Sequence, residues 1–284
     1  MINTKVMLSN FMFITDPKES EILELPKHAR RRMSRNGQIA KLVIDQMLKQ
    51  NLNIPIMGKD TGVIYASCFG AIDEEEQGTI KYISSNNISP LFLPNILPNM
   101  VASNLSIDLN LQGLNYCINT GVTAFLEAII NGIDYIQQGQ LDSVIIVGSE
   151  SCISYNALSF AELYHQNKLS YNTGGGALLL TKDNNMRNKY KINNYKYFFS
   201  NDTLAKRSKM LFEKEVNQKI NTYGNGYLIG NHPILSSDTY IGCLQSIVNI
   251  KQLLRNLDES NMTTGGVFSM LENGSNIYIE FVKQ

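Results

Sequence analysis

The chain of 284 residues is 43% hydrophobic and 18% charged, with Lys+Arg and Asp+Glu both at 25. This length suffices for one large α/β domain or two fused halves sharing a core, and the charge balance gives no global field favouring nucleic acid or an acidic membrane surface. The four cysteines, Cys68, Cys117, Cys152 and Cys243, form no CxxC or Cys/His cluster, which argues against a disulfide frame or zinc site and for a reducing compartment.

The N-terminal MINTKVMLSNFMFITDPKE reads as no signal peptide, and no apolar run approaches the roughly 20 residues of a membrane span. The expectation is a cytoplasmic globular protein. In chain order, Lys5 to Ile14 predicts a first strand. A basic run, Lys27 to Arg35, then leads into a helix with Ile39, Val43, Ile44, Met47 and Leu48 on one face. Its arginines read as a solvated face or, more sharply, as a dock for an acidic carrier protein or a subunit contact. Thr61 to Phe69 predicts a buried strand, and Asp73-Glu74-Glu75-Glu76 opens a helix through Ile83. A proline-punctuated segment from Pro90 to Pro98 precedes a helix over Asn99 to Leu109.

The stretch from Gly113 to Glu150 organises the rest. Leu114 to Asn119 suits a short buried strand, and Asn119-Thr120-Gly121 a tight corner. Phe125, Ala128, Ile129, Ile133 and Ile136 then recur at helical spacing, and Ser143 to Gly148 is a β-branched run suited to a fully buried strand. Strand, corner, helix and strand make a βαβ unit, whose corner often displays a nucleophile against a helix N-terminus. Here the corner offers Thr120, Gly121, Val122 and Thr123, and valine has no such chemistry.

Ser151 to Thr173 reads as loop-rich. Gly174-Gly175-Gly176 feeds the strand Ala177 to Leu180, and because no helix follows, close backbone packing outweighs phosphate binding. The polar Asp183 to Lys191 marks a seam, dividing the chain into halves at 1–185 and 186–284 that form one compact unit. Beyond it come a strand over Tyr195 to Phe199, a helix over Thr203 to Lys219 and a glycine-rich segment. A helix over Ser246 to Leu254, a strand or turn over Gly265 to Leu271 and a last strand over Ile277 to Val282 complete the order.

Taken together these motifs resemble the β-ketoacyl synthases, condensing enzymes of fatty acid and polyketide synthesis. Arg31-Arg32-Met33-Ser34-Arg35 looks like the family's basic helix start, and Gly113 to Ala128 parallels its G-P-x-x-x-x-x-T-A-C-S-S-x-x-x-A run. Val144 to Glu150 matches the next strand with its Gly-x-Glu end, and Gly174 to Leu180 resembles G-E-G-A-G-x-L-V-L. Ile220 to Gly226 resembles V-E-A-H-G-T-G, Ser236 to Cys243 resembles S-V-K-S-N-I-G-H, and Phe268 to Asn276 resembles S-S-F-G-F-G-G-T-N. The resemblance implies an α/β, thiolase-like fold of two pseudo-duplicated mixed-sheet halves layered with helices, shortened relative to full ketosynthases.

It also locates the family's site. The nucleophilic cysteine position is Val122, the first histidine Tyr223, the lysine Asp238 and the second histidine Cys243. Condensation needs a thiolate and two imidazoles, so the expectation is a chain that is not an enzyme. The resemblance then points to the chain-length factors of type II polyketide systems, of aryl-polyene type, as a heterodimer with an active ketosynthase. It implies a dimer contact through Leu114, Asn115, Tyr116, Cys117 and Ile118. Pocket positions are expected at Thr120, Phe125, Phe160, Gly274 and Asn276, with Phe125 and Phe160 as bulky boundary candidates. Acyl carrier protein is expected to reach the pair mainly through the partner, and no cofactor, metal, nucleic acid or membrane is implied. Two rivals stand beside this. One is an autonomous thioester hydrolase or acyltransferase using Cys243 with Tyr223 and Asp238, and the other a homodimeric acyl-binding or structural protein. Of the histidines His28, His165 and His232, none falls at a motif position.

Overall fold

The computed structural model describes residues 5–50, 58–165, 169–182, 189–212, 224–229, 232–235 and 240–284. The chain opens with β1 (Val6–Thr15), α1 (Glu19–Leu23), α2 (Lys27–Arg32) and α3 (Arg35–Gln50). After β2 (Thr61–Ala66) come α4 (Ile72–Ser85), α5 (Phe92–Ile96) and α6 (Asn99–Asp108). β3 (Asn115–Ile118) leads through a 3-10 turn (Gly121–Thr123) into α7 (Ala124–Gln137), β4 (Ser143–Ser151), α8 (Tyr155–His165) and β5 (Thr173–Lys182). The remainder is β6 (Tyr190–Phe199), α9 (Leu204–Phe212), β7 (Gly224–Ile229), β8 (His232–Leu235), α10 (Leu244–Glu259), β9 (Thr264–Met270) and β10 (Ser275–Lys283).

These strands form one ten-stranded sheet in the order β3-β2-β4-β5-β1-β6-β10-β9-β7-β8. Read outward from its middle, the order repeats: β1, β5, β4, β2 and β3 on one side correspond to β6, β10, β9, β7 and β8 on the other. The join is short, because β1 meets β6 only where Val6 to Leu8 face Ile192 to Tyr190. The repeat is inexact. β2 runs parallel to β4, whereas β7 runs antiparallel to β9 and forms a hairpin with β8.

Five layers result. Side chains of β4 alternate between two cores, which is why all nine of its residues are buried. Val144 and Ile146 join Phe125, Ile129, Ile247 and Leu253 between the sheet halves, where α7 and α10 lie. Ile145 and Val147 face outward to Ile39, Val43 and Leu105 of α3 and α6. A smaller core, Leu211, Phe212, Leu228, Phe268, Met270 and Tyr278, sits under α9 on the other outer face. The expected unit over 113–150 forms, with β2 inserted between its two strands. Two sequence readings are corrected. The stretch 151–173 contains the helix α8, and the glycine-rich segment contributes the strand β7.

The triple glycine lies inside β5, where the expected close packing is met. A Cβ on Gly176 would stand 2.3 Å from Ile247 Cγ2 and 3.2 Å from the Met12 carbonyl. Both neighbours are held by the layer, so there is nowhere for the extra methyl to go. Gly176→Ala is expected to lower unfolding stability by about 1–3 kcal/mol. A urea midpoint that falls while the m-value stays constant would register it.

Candidate functional site

The corner after β3 meets the start of α10 at the C-terminal ends of β2 and β4. Gly121 carries φ +80, which turns the chain into the 3-10 segment. Val122 follows, buried, and its carbonyl accepts a hydrogen bond from Ser246 Oγ, one turn into α10, at 3.4 Å. Thr123 is the first residue before α7, but its hydroxyl donates to Glu127 Oε1 (2.6 Å) and the Thr120 carbonyl (3.2 Å) rather than capping the helix amides. Thr120 is exposed at the turn.

Cys243 immediately precedes α10 and is fully buried. Its N–H donates to Glu150 Oε1 at 3.2 Å, and its thiol faces the Ala66 carbonyl at 3.6 Å. Burial first, and then the Glu150 charge, hold that thiol well above its ordinary pKa. A thiol shifted in this direction has less thiolate character than a free cysteine. Tyr223 and Asp238 lie outside the described residues.

Glu150, at the end of β4, joins these parts. Oε1 accepts from the Cys68 and Cys243 amides, and Oε2 from Ser67 Oγ (3.0 Å) and the Phe69 amide (3.2 Å). The carboxylate is fully buried, which raises its pKa despite those donors. All four cysteines gather near it: Cys117, half-buried on β3, is pushed up to about 12 by burial and by the Glu150 charge, and Cys152 is raised for the same two reasons.

The other expected pocket residues are spread more widely. Phe125 is fully buried, its ring against the Gly148 backbone between β4 and α10. Phe160 is 52% exposed on α8, edge-on to Phe69 with centroids 6.2 Å apart. It lines a groove of about 450 Å³ with Ile72, Thr79 and Ile80 of α4 and Ala157 of α8. Gly274 turns β9 into β10 at φ +103 under the Phe199 ring. Asn276 is buried, accepting from Arg207 Nε of α9 at 2.8 Å and donating to the Gly274 carbonyl at 2.7 Å.

Residues missed from the sequence include the acids that anchor α8. Asp73 accepts from the Ile153 and Ser154 amides (2.9 and 3.0 Å) and from Ser151 Oγ (2.7 Å), and Glu76 from Asn156 Nδ2 (2.6 Å) and the Ala157 amide (3.3 Å). Acids at a helix N-terminus satisfy its orphan amides and its dipole. The positions expected at a dimer contact lie on an edge of the sheet: among the described residues β3 pairs only with β2. Leu114 and Tyr116 pack toward α7 and Ile118 is buried there, while Asn115 is exposed beside Ser103 of α6. The carbonyls of Leu114 and Ile118 bond to β2, so by the period of two those of Asn115 and Cys117 face outward. Of the basic run, Arg35 pairs with Glu19 at 2.7 Å and Arg30 bonds the Leu25 carbonyl, whereas Arg31 and Arg32 are exposed.

Comparison with known proteins agrees with this architecture. The family model described as "Beta-ketoacyl synthase, N-terminal domain" matches residues 4–175. The chain belongs to the β-ketoacyl synthase family. A "3-oxoacyl-[acyl-carrier-protein] synthase homolog" of Saccharomyces cerevisiae is 30% identical over 112 residues, 39% of this chain and 25% of that protein. The "3-oxoacyl-[acyl-carrier-protein] synthase 2" of Vibrio harveyi is 34% identical over 91 residues, 31% of this chain and 22% of that protein. The chain thus aligns with a quarter or less of either relative's length. Among solved structures, "The ishigamide ketosynthase/chain length factor" superposes with TM-score 0.74 at 12% identity, covering 98% of this chain and 99% of that one. A type II polyketide synthase acyl-carrier protein in complex with its ketosynthase bound to the hexaketide gives TM-score 0.78 at 13% identity, covering 99% and 100%. The fold is the thiolase-like fold of the ketosynthases.

These relatives correct one expectation. The replacements at Val122, Tyr223, Asp238 and Cys243 suggested a chain that is not an enzyme, but the relatives are named as 3-oxoacyl-[acyl-carrier-protein] synthases, which are enzymes. Substitution at aligned positions does not by itself show catalytic loss. Among the described residues no helix is long and apolar enough to cross a membrane.

Glu150 gives the site a testable signature. Its folded pKa is raised above the ordinary carboxyl value of 4.5, so the folded chain binds more protons than the unfolded one. Its contribution is therefore fully present below the unfolded pKa and is lost as pH rises through the folded pKa. Glu150→Gln should flatten that fall in stability with rising pH. It should also cost about 1–3 kcal/mol at low pH, because either amide orientation turns an NH2 toward a buried backbone N–H. Chemical denaturation of both proteins from pH 4 to pH 8 measures the two effects separately.

Proposed function

We propose that this chain is one subunit of a type II condensing assembly, pairing along β3 with an active β-ketoacyl synthase and helping to bound the acyl tunnel of the pair. The observation that carries the reading is the open edge of β3. Asn115 and Cys117 present unpaired backbone groups there, and an exposed edge of this kind is a template for a second strand. The groove on α4 and α8 supports the tunnel role, since Phe160 and Ile80 in its lining are apolar side chains more than half exposed. Such a surface is stabilised when another chain covers it. Acyl carrier protein meets the pair mainly through the partner. The product is polyketide, of the aryl-polyene type, or fatty-acid-like. The halves 1–185 and 186–284 act as one unit, a reading supported by the shared α7–α10 layer.

Two experiments test the reading. Co-expressed with a type II ketosynthase, the chain should elute as a stable pair whose interface buries more than about 2,000 Å² in total. Asn115→Pro removes an outward amide while leaving the β2 ladder in place, so the pair should fall apart with little change in thermal midpoint. An intact pair in that variant would move the contact elsewhere. For the tunnel, Phe160→Ala should lengthen the product made by the assembled pair, read by mass spectrometry. An unchanged length distribution would leave Phe160 without that role.

A further inference from the structure

A second cavity, of about 630 Å³, lies beside the open edge and is lined by Tyr116, Asn131, Asp134, Tyr135, Gln138 and Gln140. Tyr116 belongs to β3 itself, so any strand laid along that edge passes the mouth of the cavity. Resting on the pairing reading above, we propose that this cavity receives an arginine or lysine side chain from the strand that pairs with β3, and that the strand belongs to a different chain.

The chemistry of the lining selects a cation. Every lining side chain carries a group able to hydrogen-bond, and the single formal charge is the Asp134 carboxylate. Tyr195 donates to Asp134 Oδ1, and no lysine or arginine among the described residues forms an ion pair with the carboxylate. An ionised carboxylate has about four acceptor sites, so capacity remains for a guanidinium or ammonium group. The rings of Tyr116 and Tyr135 meet edge to face with centroids 6.3 Å apart, placing aromatic surface within reach of the same charge. An anion would be repelled there. An aliphatic side chain would strip water from polar groups without replacing their hydrogen bonds.

The same inventory disfavours self-pairing. Neither β3 nor the cavity lining contains a lysine or arginine. A second copy aligned on this edge would bring another Asp134 and no counter-charge from these elements. A chain carrying a basic residue on its pairing strand gains an attraction that a copy lacks, which is how interfacial charge sets partner choice.

The test uses the full chain and two extended peptides, Val-Arg-Val-Arg-Val-Arg and Val-Gln-Val-Gln-Val-Gln, titrated calorimetrically at low and high salt. The arginine peptide should bind about tenfold more tightly than the glutamine peptide at low salt, with the preference shrinking as salt rises. Asp134→Asn, checked for an unchanged melting temperature, should abolish the preference while leaving the glutamine peptide's affinity as it was. Equal binding of both peptides, or a preference that survives Asp134→Asn, overturns the cation site and leaves the pairing edge standing. If neither peptide binds, the pairing edge and the cation site both fall.

Discussion

One buried carboxylate holds the centre of this molecule together. Glu150 accepts hydrogen bonds from the segment after β2 and from the residue that starts α10, two pieces of chain separated by more than half the sequence. Burying a carboxylate is costly, and the N–H and O–H groups already pointing at it offset part of that cost, leaving its pKa raised. The start of α10 also contributes the positive end of its dipole. Once α10 is anchored there, Ser246 reaches the Val122 carbonyl, and the corner inherits its position from the acid. Gly242, at φ +50, has to be a glycine for this, since a Cβ would stand 2.6 Å from Glu150 Oε1.

The same device recurs on the surface. Asp73 and Glu76 of α4 hold the first turn of α8, and Glu74, between them, accepts from the Arg35 amide at the start of α3. A single acidic run thus serves two helices through residues that point in different directions around α4. In sequence the run reads simply as the opening of a helix. In the fold it is structural, and it sets the wall of the groove that Phe160 lines.

Much of the fold is legible in the sequence because its signals are local. The β-branched run of β4 marks a strand covered on both faces, and the spacing through Phe125 and Ile136 marks the helix α7. The helix α8 is not legible in this way. Its exposed face carries Phe160 and Leu163, blurring the periodicity, and the acids that start it lie about eighty residues earlier. The hairpin of β7 and β8 is short, glycine-rich and interrupted by Pro233, features that read as loop. Family resemblance brought Val122 and Cys243 to one place, but nothing local announced that Glu150 would join them. The inference about activity failed for a different reason. Residue identity at four positions was taken for chemistry, and two of those four, Tyr223 and Asp238, are not among the described residues.

The first strand of the chain occupies the middle of the sheet. β1 lies between β5 and β6, so its partners are Thr173 to Lys182 and Tyr190 to Ile192. A ribosome emits β1 before all of the others, and at about 5–20 residues per second its partners follow after many seconds. During that interval Val6, Met7 and Leu8 have no native neighbour in the sheet. Contacts of such long sequence separation also slow folding, because the loop must close before they can form. The nascent chain therefore carries an unpaired hydrophobic strand until β5 and β6 have emerged.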